Sequence, residues 1–223
     1  MAELLSRDFF ARSALDVAPD LLGKLLVREW EGQLLSGRIV EVEAYLGAED
    51  AASHAFRGPT RRNRSMFGPP GHAYVYLIYG MHHCLNVVTG PEGEAQAVLI
   101  RGIQPVEGLA VMRMMRGRAT LRNLTNGPGK LCQALSIDRS LDGHDLCAGQ
   151  ALWLADAPRP TAPIRTSPRI GVRGDALAVE RAWRYFLVEE KSKRGTLSHA
   201  KGQRMKRSKN KNAERAGKAD FRR

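Results

Sequence analysis

Four apolar runs of strand length follow one another in the first half of the chain: Ser36–Leu46, Ala73–Tyr79, His82–Val88 and Ala95–Arg101. No regular strand–helix–strand alternation separates them, and parallel strands need a crossover of a dozen or more residues, usually helical. The runs therefore predict a largely antiparallel sheet, with helical segments left to the flanks. The fold class that follows is α+β: a single domain with a curved, mostly antiparallel β-sheet flanked by helices. There is no internal repeat.

The flanks read as follows. Asp16-Val-Ala-Pro19-Asp20 looks like a helix start, and Leu21, Leu22, Leu25 and Leu26 give an apolar face leading into a strand before residue 29. Pro105 stands where a second helix can begin, with Leu109, Met112 and Met114 or Met115 on one side. Asn126 reads as the cap of a third, with Pro128 in its first turn. Leu152–Leu154, Arg169–Val172 and Trp183–Val188 are shorter strand candidates. Gly80-Met81 reads as the turn of a protruding hairpin between the second and third of the four runs.

The charge is uneven. The chain of 223 residues carries a formal net charge of +12, and residues 190–223 hold 13 Lys and Arg against three acidic residues. Residues 1–189 are left with 22 basic and 20 acidic side chains. The organisation expected is a domain over 1–189 and a basic, flexible, disordered tail over 190–223 that binds a polyanion; a solubility tail is the plainer reading. The longest apolar stretch, Ala73–Tyr79, is seven residues, far below the roughly 18 that span a bilayer. With acids near the N-terminus and three cysteines in no CxxC pattern, the reading is a cytoplasmic protein without disulfides or membrane contact.

Glu41, Glu43 and Tyr45 share one parity on the first run, so both carboxylates face the same side. A carboxylate on a dry sheet face suits a general base, although an exposed polar face is the ordinary fate of an isolated Glu-x-Glu. Tyr74 and Tyr76 share a face of the second run, and Tyr79 lies beside the turn. Aromatics among arginines can stack on bases; a core aromatic stripe is the alternative. The loop from Gly47 to Gly71 is long enough to be functional. Its Arg57, Arg61, Arg62 and Arg64 can follow a phosphate backbone, or simply be solvated. Lys130 at the Gly127-Pro-Gly129 helix entry is a weaker candidate for the same contact. His82 and His83 are adjacent on a strand and point apart, and there is no HxxxH pair or Cys/His quartet, so no metal site is expected. His54 can line a pocket.

These residues add up to a resemblance. Arg38-Ile-Val-Glu-Val-Glu-Ala-Tyr-Leu-Gly47 with Glu49, Asp50 and His54 is similar to the alkyladenine (3-methyladenine) DNA glycosylase family. So are Thr60-Arg-Arg-Asn-Arg64 with Met66-Phe67, Tyr74–Met81 with Cys84 and Asn86, Val98–Arg101, Gly127–Leu135 and Pro168–Val172. The match runs in consistent order over residues 5–189 and leaves out the tail. It implies that Glu43 activates the attacking water, that Arg101 helps hold it, and that the backbone carbonyl of Ile170 is a third partner. It implies a flipped base held by Tyr45, His54 and Tyr76, with Asn86 bordering the pocket, and a wedge at Tyr79 with Met81 beside it. Arg57, Arg61, Arg62, Arg64 and Lys130 then face the DNA backbone. His82 and His83 depart from the bulky aromatics of mammalian members.

The resemblance implies a monofunctional glycosylase that frees damaged purines such as 3-methyladenine, hypoxanthine or ethenoadenine from duplex DNA. It needs no metal and no cofactor, works as a monomer on damaged double-stranded DNA, and sits with the nucleoid in a bacterium or the nucleus in a eukaryote. Without a Schiff-base lysine in the motif, release without strand cleavage is expected. The competing readings are a non-catalytic nucleic-acid-binding protein using the Tyr-rich hairpin and the tail, and a hydrolase on the same scaffold with another polar substrate.

Overall fold

A computed structural model describes residues 2–188. The tail expected over 190–223 lies outside the described residues. Two short helices, α1 (Arg7–Phe10) and α2 (Ala14–Leu21), lead into the hairpin of β1 (Leu25–Trp30) and β2 (Gln33–Leu46). After the long loop come β3 (Ala73–Ile78), β4 (His82–Thr89) and β5 (Gln96–Glu107), then α3 (Leu109–Arg116) and α4 (Pro128–Ala134). The described chain closes with β6 (Leu152–Ala155), β7 (Ile164–Ser167), α5 (Ala176–Glu180) and β8 (Arg184–Leu187).

All eight strands join one sheet in the order β3-β4-β5-β2-β1-β6, and every pairing is antiparallel. β8 pairs with β2 at Glu41–Glu43 and with β7 on its other side. The expected α+β class with an antiparallel sheet is the class observed.

The long strand β2 organises the rest. One edge pairs with β5 from Ser36 to Leu46; the other pairs first with β1 and then with β8. Its register against β5 slips between Ile39 and Glu41 and again before Val42. A bulge inserts a residue and reverses which side chains face inward. Upstream, the odd-numbered Leu35 and Ile39 are in the main core; downstream, the even-numbered Val42 and Ala44 replace them. Glu41, Glu43 and Tyr45 are thereby turned to the opposite face. Without the bulge their parity would place them among Leu35 and Ile39.

The two faces hold different cores. On one, α2 and α4 cover Val75, Leu85, Val87, Val98 and Ile100 with Phe10, Leu21, Leu131 and Leu135 in the principal cluster. On the other, Met66, Tyr74, Tyr76, Cys84, Val88, Ala97 and Leu99 form a smaller cluster with Tyr45, Phe67 and Ile78 against it. Strand alternation in β3, β4 and β5 separates the two sets.

Several boundaries differ from expectation. α2 starts at Ala14, capped by the Ser13 hydroxyl accepting from the Leu15 N–H at 3.3 Å, so Pro19 lies inside the helix and Leu25 and Leu26 belong to β1. Pro105 lies in β5, and α3 begins only after Gly108, which turns at φ +77°; a Cβ there would meet the Leu34 carbonyl oxygen at 2.8 Å. The cap of α4 is Gly127, while the Asn126 side chain accepts from Lys130 Nζ. Arg169–Val172 is not a strand, because buried Arg169 and the Ile170 amide bond to groups off any ladder. The β3–β4 turn is centred on Tyr79-Gly80, one residue earlier than expected. Both have positive φ (+54° and +70°), and the Met81 N–H donates to the Ile78 carbonyl at 3.2 Å, the type I′ pattern that suits strand twist.

Candidate active site

The smaller core stops short of filling its face of the sheet, and the space left is a cavity of about 580 Å³, within the usual range for small-ligand pockets. Its walls come from β2 (Tyr45), β3 (Tyr74, Tyr76), β4 (Cys84, Asn86), β5 (Arg101), the loop around His54, and residues 170–173. Tyr79 and His82 of the hairpin reach it as well.

The loop after β2 folds over the face because Gly47 turns at φ +59° against the Glu94 carbonyl oxygen, where a Cβ would be only 2.3 Å away. Buried Asn63 then ties the loop together. Its amide donates to the carbonyls of His54 (2.8 Å) and Gly58 (3.1 Å), and its oxygen accepts from the Thr60 N–H (2.6 Å) and hydroxyl (2.9 Å). His54 is thus held through its carbonyl, which accepts from the Asn63 side chain.

Glu43 is fully buried. It does not itself face the cavity; it lies directly beneath three residues that do. Tyr45 donates its hydroxyl to Oε2 at 2.9 Å, the Ile170 N–H donates to Oε1 at 2.7 Å, and Arg101 Nε is 3.4 Å from Oε1. A carboxylate has about four acceptor sites, so the two hydrogen bonds from Tyr45 and Ile170 do not use up its acceptor capacity. The contact at Ile170 is its amide, whereas the resemblance pointed to its carbonyl.

The single Arg101 Nε–H donates to Glu41 Oε1 at 2.9 Å, so its contact with Glu43 is an ion pair, and the same Glu41 oxygen accepts from Arg184 Nε at 2.6 Å. Burial alone would make the Arg101 guanidinium less basic, but the Glu43 and Glu41 carboxylates outweigh it and raise its pKa. Burial and the neighbouring Glu43 charge push the Tyr45 phenol well up, so it stays a donor. Burial, helped by Arg62, lowers the His54 pKa and favours the neutral ring; Nδ1 lies 3.0 Å from the Tyr74 hydroxyl, and the ring meets Tyr76 edge-on at 4.5 Å.

Asn86 donates its side-chain amide to the Tyr74 carbonyl at 3.0 Å, so its head is fixed in the wall. Arg62 stacks 5.5 Å from the Tyr76 ring centre and donates to the Leu77 carbonyl. Arg57, Arg61 and Arg64 are exposed on the loop, Lys130 is half-buried, and Tyr79 and Met81 are 82% and 71% exposed at the hairpin tip.

The structure therefore gathers Arg101, Tyr45, His54, Tyr76, Asn86 and Ile170 at one cavity, with Glu43 behind Tyr45, Ile170 and Arg101, Tyr79 at the same cavity and Met81 next to it on the hairpin. Sequence reasoning missed Asn63, Arg184 and the buried pair Asp50–Arg169, whose guanidinium lies 4.5 Å from the Tyr45 ring. Asp50, Asn63 and Arg169 lay in stretches quoted for the resemblance, but nothing in their spacing shows a partner.

Comparison with known proteins agrees in extent with this domain. The family model described as methylpurine-DNA glycosylase matches residues 8–191. A protein of Carboxydothermus hydrogenoformans is 49% identical over 189 residues, covering 84% of this chain and 97% of its own length. One of Methanocella arvoryzae is 50% identical over 184 residues (82% and 92%), and one of Rubrobacter xylanophilus 51% over 172 residues (77% and 87%). All three bear the name "Putative 3-methyladenine DNA glycosylase". With most of its described length matched in order, the chain belongs to the methylpurine-DNA glycosylase family.

Proposed function

We propose that this protein excises alkylated or otherwise damaged purines from duplex DNA by hydrolysing the N-glycosidic bond, with Glu43 activating the water. The observation that carries the reading is the buried carboxylate beneath a ring-walled cavity, held by two hydrogen bonds and an ion pair with Arg101.

A target base inside the duplex is out of reach, so it must leave the stack at a cost of a few kcal/mol. Tyr79, largely exposed on a tight turn, is suited to fill the vacated space. The everted base enters among Tyr45, His54 and Tyr76, which line the cavity. Asn86 borders it, and its fixed amide is suited to crowd an extra amino group such as that of guanine. The exposed Arg57, Arg61, Arg62 and Arg64, with Lys130, hold the backbone phosphates.

Glu43 takes a proton from water as the water oxygen bonds to the sugar C1′ and the bond from C1′ to the base breaks. Its negative charge also steadies the oxocarbenium character of the transition state. An alkylated purine leaves as a neutral base and needs little acid help. The products are a free base and an abasic strand left intact.

The test is base release from duplexes carrying 3-methyladenine, 7-methylguanine, hypoxanthine or ethenoadenine, with an undamaged duplex as control. Release from at least one damaged duplex and none from the control is expected. A protein that binds these duplexes yet frees no base overturns the reading in favour of a binding protein.

A further inference from the structure

Arg169 and Asp50 are both fully buried, and 119 residues of sequence separate them. The guanidinium grips Asp50 with both arms, Nη1 to Oδ2 at 2.5 Å and Nη2 to Oδ1 at 2.8 Å. The same two nitrogens donate to the Ala44 and Ala178 carbonyls, each at 2.9 Å. Its flat face lies 4.5 Å from the Tyr45 ring centre and 5.1 Å from that of Trp183. Four of its five N–H groups are used; Nε alone has no partner among the described residues.

Such a pair is a poor device for stability. Desolvating two charges cancels most of their attraction, and apolar residues of similar size commonly hold a fold as well or better. Its placement suggests another use. Ala44 immediately precedes Tyr45, and Ile170 immediately follows Arg169. One guanidinium thus fixes the backbone beside both residues whose donors hold Glu43: the Tyr45 hydroxyl on Oε2 and the Ile170 N–H on Oε1. Asp50 in turn ties this unit to the loop that carries His54, so the two cavity walls are clasped at one point.

We propose that the Asp50–Arg169 pair is a positioning device for the base-excision reaction, setting the Glu43 carboxylate through its two donors. The inference rests on the reading that Glu43 activates water. Arg169 and Asp50 touch neither the cavity nor any reacting atom, so they act through Tyr45, Ile170 and Glu43. A displacement of about 1 Å at a reacting group costs on the order of 100-fold in rate. Loss of the clasp is therefore expected to cut the chemical step and spare lesion binding, which depends on the exposed hairpin and arginines.

The experiment uses the full chain with two changes made together, Asp50→Leu and Arg169→Met, and separately Arg169→Lys, which keeps the charge but loses the fork and the flat face. Thermal midpoint, dissociation constant for a 7-methylguanine duplex and single-turnover release rate are measured for each. The double variant is expected to melt within a few degrees of the parent and bind within about threefold, while release slows roughly 30- to 100-fold. Arg169→Lys is expected to show the same separation of rate from binding, with a smaller loss. Release within threefold of the parent in both variants overturns the proposal. So does a loss of rate matched by equal losses of binding and folded protein in both, which would make the pair purely structural. An unaltered chain that releases no base counts against the excision reading itself, and is recognised before any variant is compared.

Discussion

Tyr79 occupies a backbone conformation, φ +54°, that a bulky side chain adopts at a cost of roughly 1–2 kcal/mol. Its ring is 82% exposed, so packing does not return that cost in the free protein. Strain of this kind persists where the side chain is needed at that place. Tyr79→Gly is therefore expected to raise stability by about 1 kcal/mol, read as a higher thermal midpoint, while lowering base release. Unchanged release would remove Tyr79 from the wedge role. At this scale the sequence was readable where chemistry follows parity: Glu43 with Tyr45, and Tyr74 with Tyr76, share faces as period two demands. It was silent on Arg169, whose partners are Asp50 far upstream and backbone carbonyls. A buried charge cannot be told from a surface one by spacing alone.

Among the elements, β2 shows what periodicity reveals and what it hides. The alternation after Val40 is visible, and it correctly groups Glu41, Glu43 and Tyr45. That this group faces the cavity side depends on the bulge, and the adjacent apolar pair Ile39-Val40 is its only trace. The length and glycines of the loop that follows pointed beyond a plain connector, and residues 51–54 of it line the cavity. The loop's order was not legible, because one amide, that of Asn63, supplies four of its bonds. Asn63→Ala leaves buried donors and acceptors unpaired, at about 1–3 kcal/mol, and frees the stretch holding His54. Lower stability in urea unfolding and slower base release are expected together; a variant as stable and active as the parent would show that the loop is held by something else. The misplaced helix starts at Pro19 and Pro105 share a cause. Proline marks a compatible backbone angle, and a Ser13 cap and the Gly108 turn decided the boundaries instead.

For the whole molecule, the antiparallel α+β class followed from strands in succession without helical crossovers. The strand order did not, since β5 lies between β4 and β2 and β8 returns to the half of the β2 edge that β1 leaves unpaired. Those pairings are set by long-range burial on two faces, which short windows do not contain. The basic segment 190–223 lies outside the described residues, and its net charge of +10 supports non-specific attraction to DNA. Removing it is expected to weaken duplex binding and flatten its dependence on salt, without changing the single-turnover rate at saturation. A salt slope unchanged on removal would assign the segment another task.

The account turns on Glu43 acting as the base for water, and Glu43→Gln tests this most directly because the amide keeps the shape while losing the charge. Single-turnover release from a 7-methylguanine duplex, measured beside binding of the same duplex, is expected to fall by roughly 100- to 10,000-fold with the dissociation constant within a few-fold of the parent. Release by Glu43→Gln at the parent's rate would contradict it.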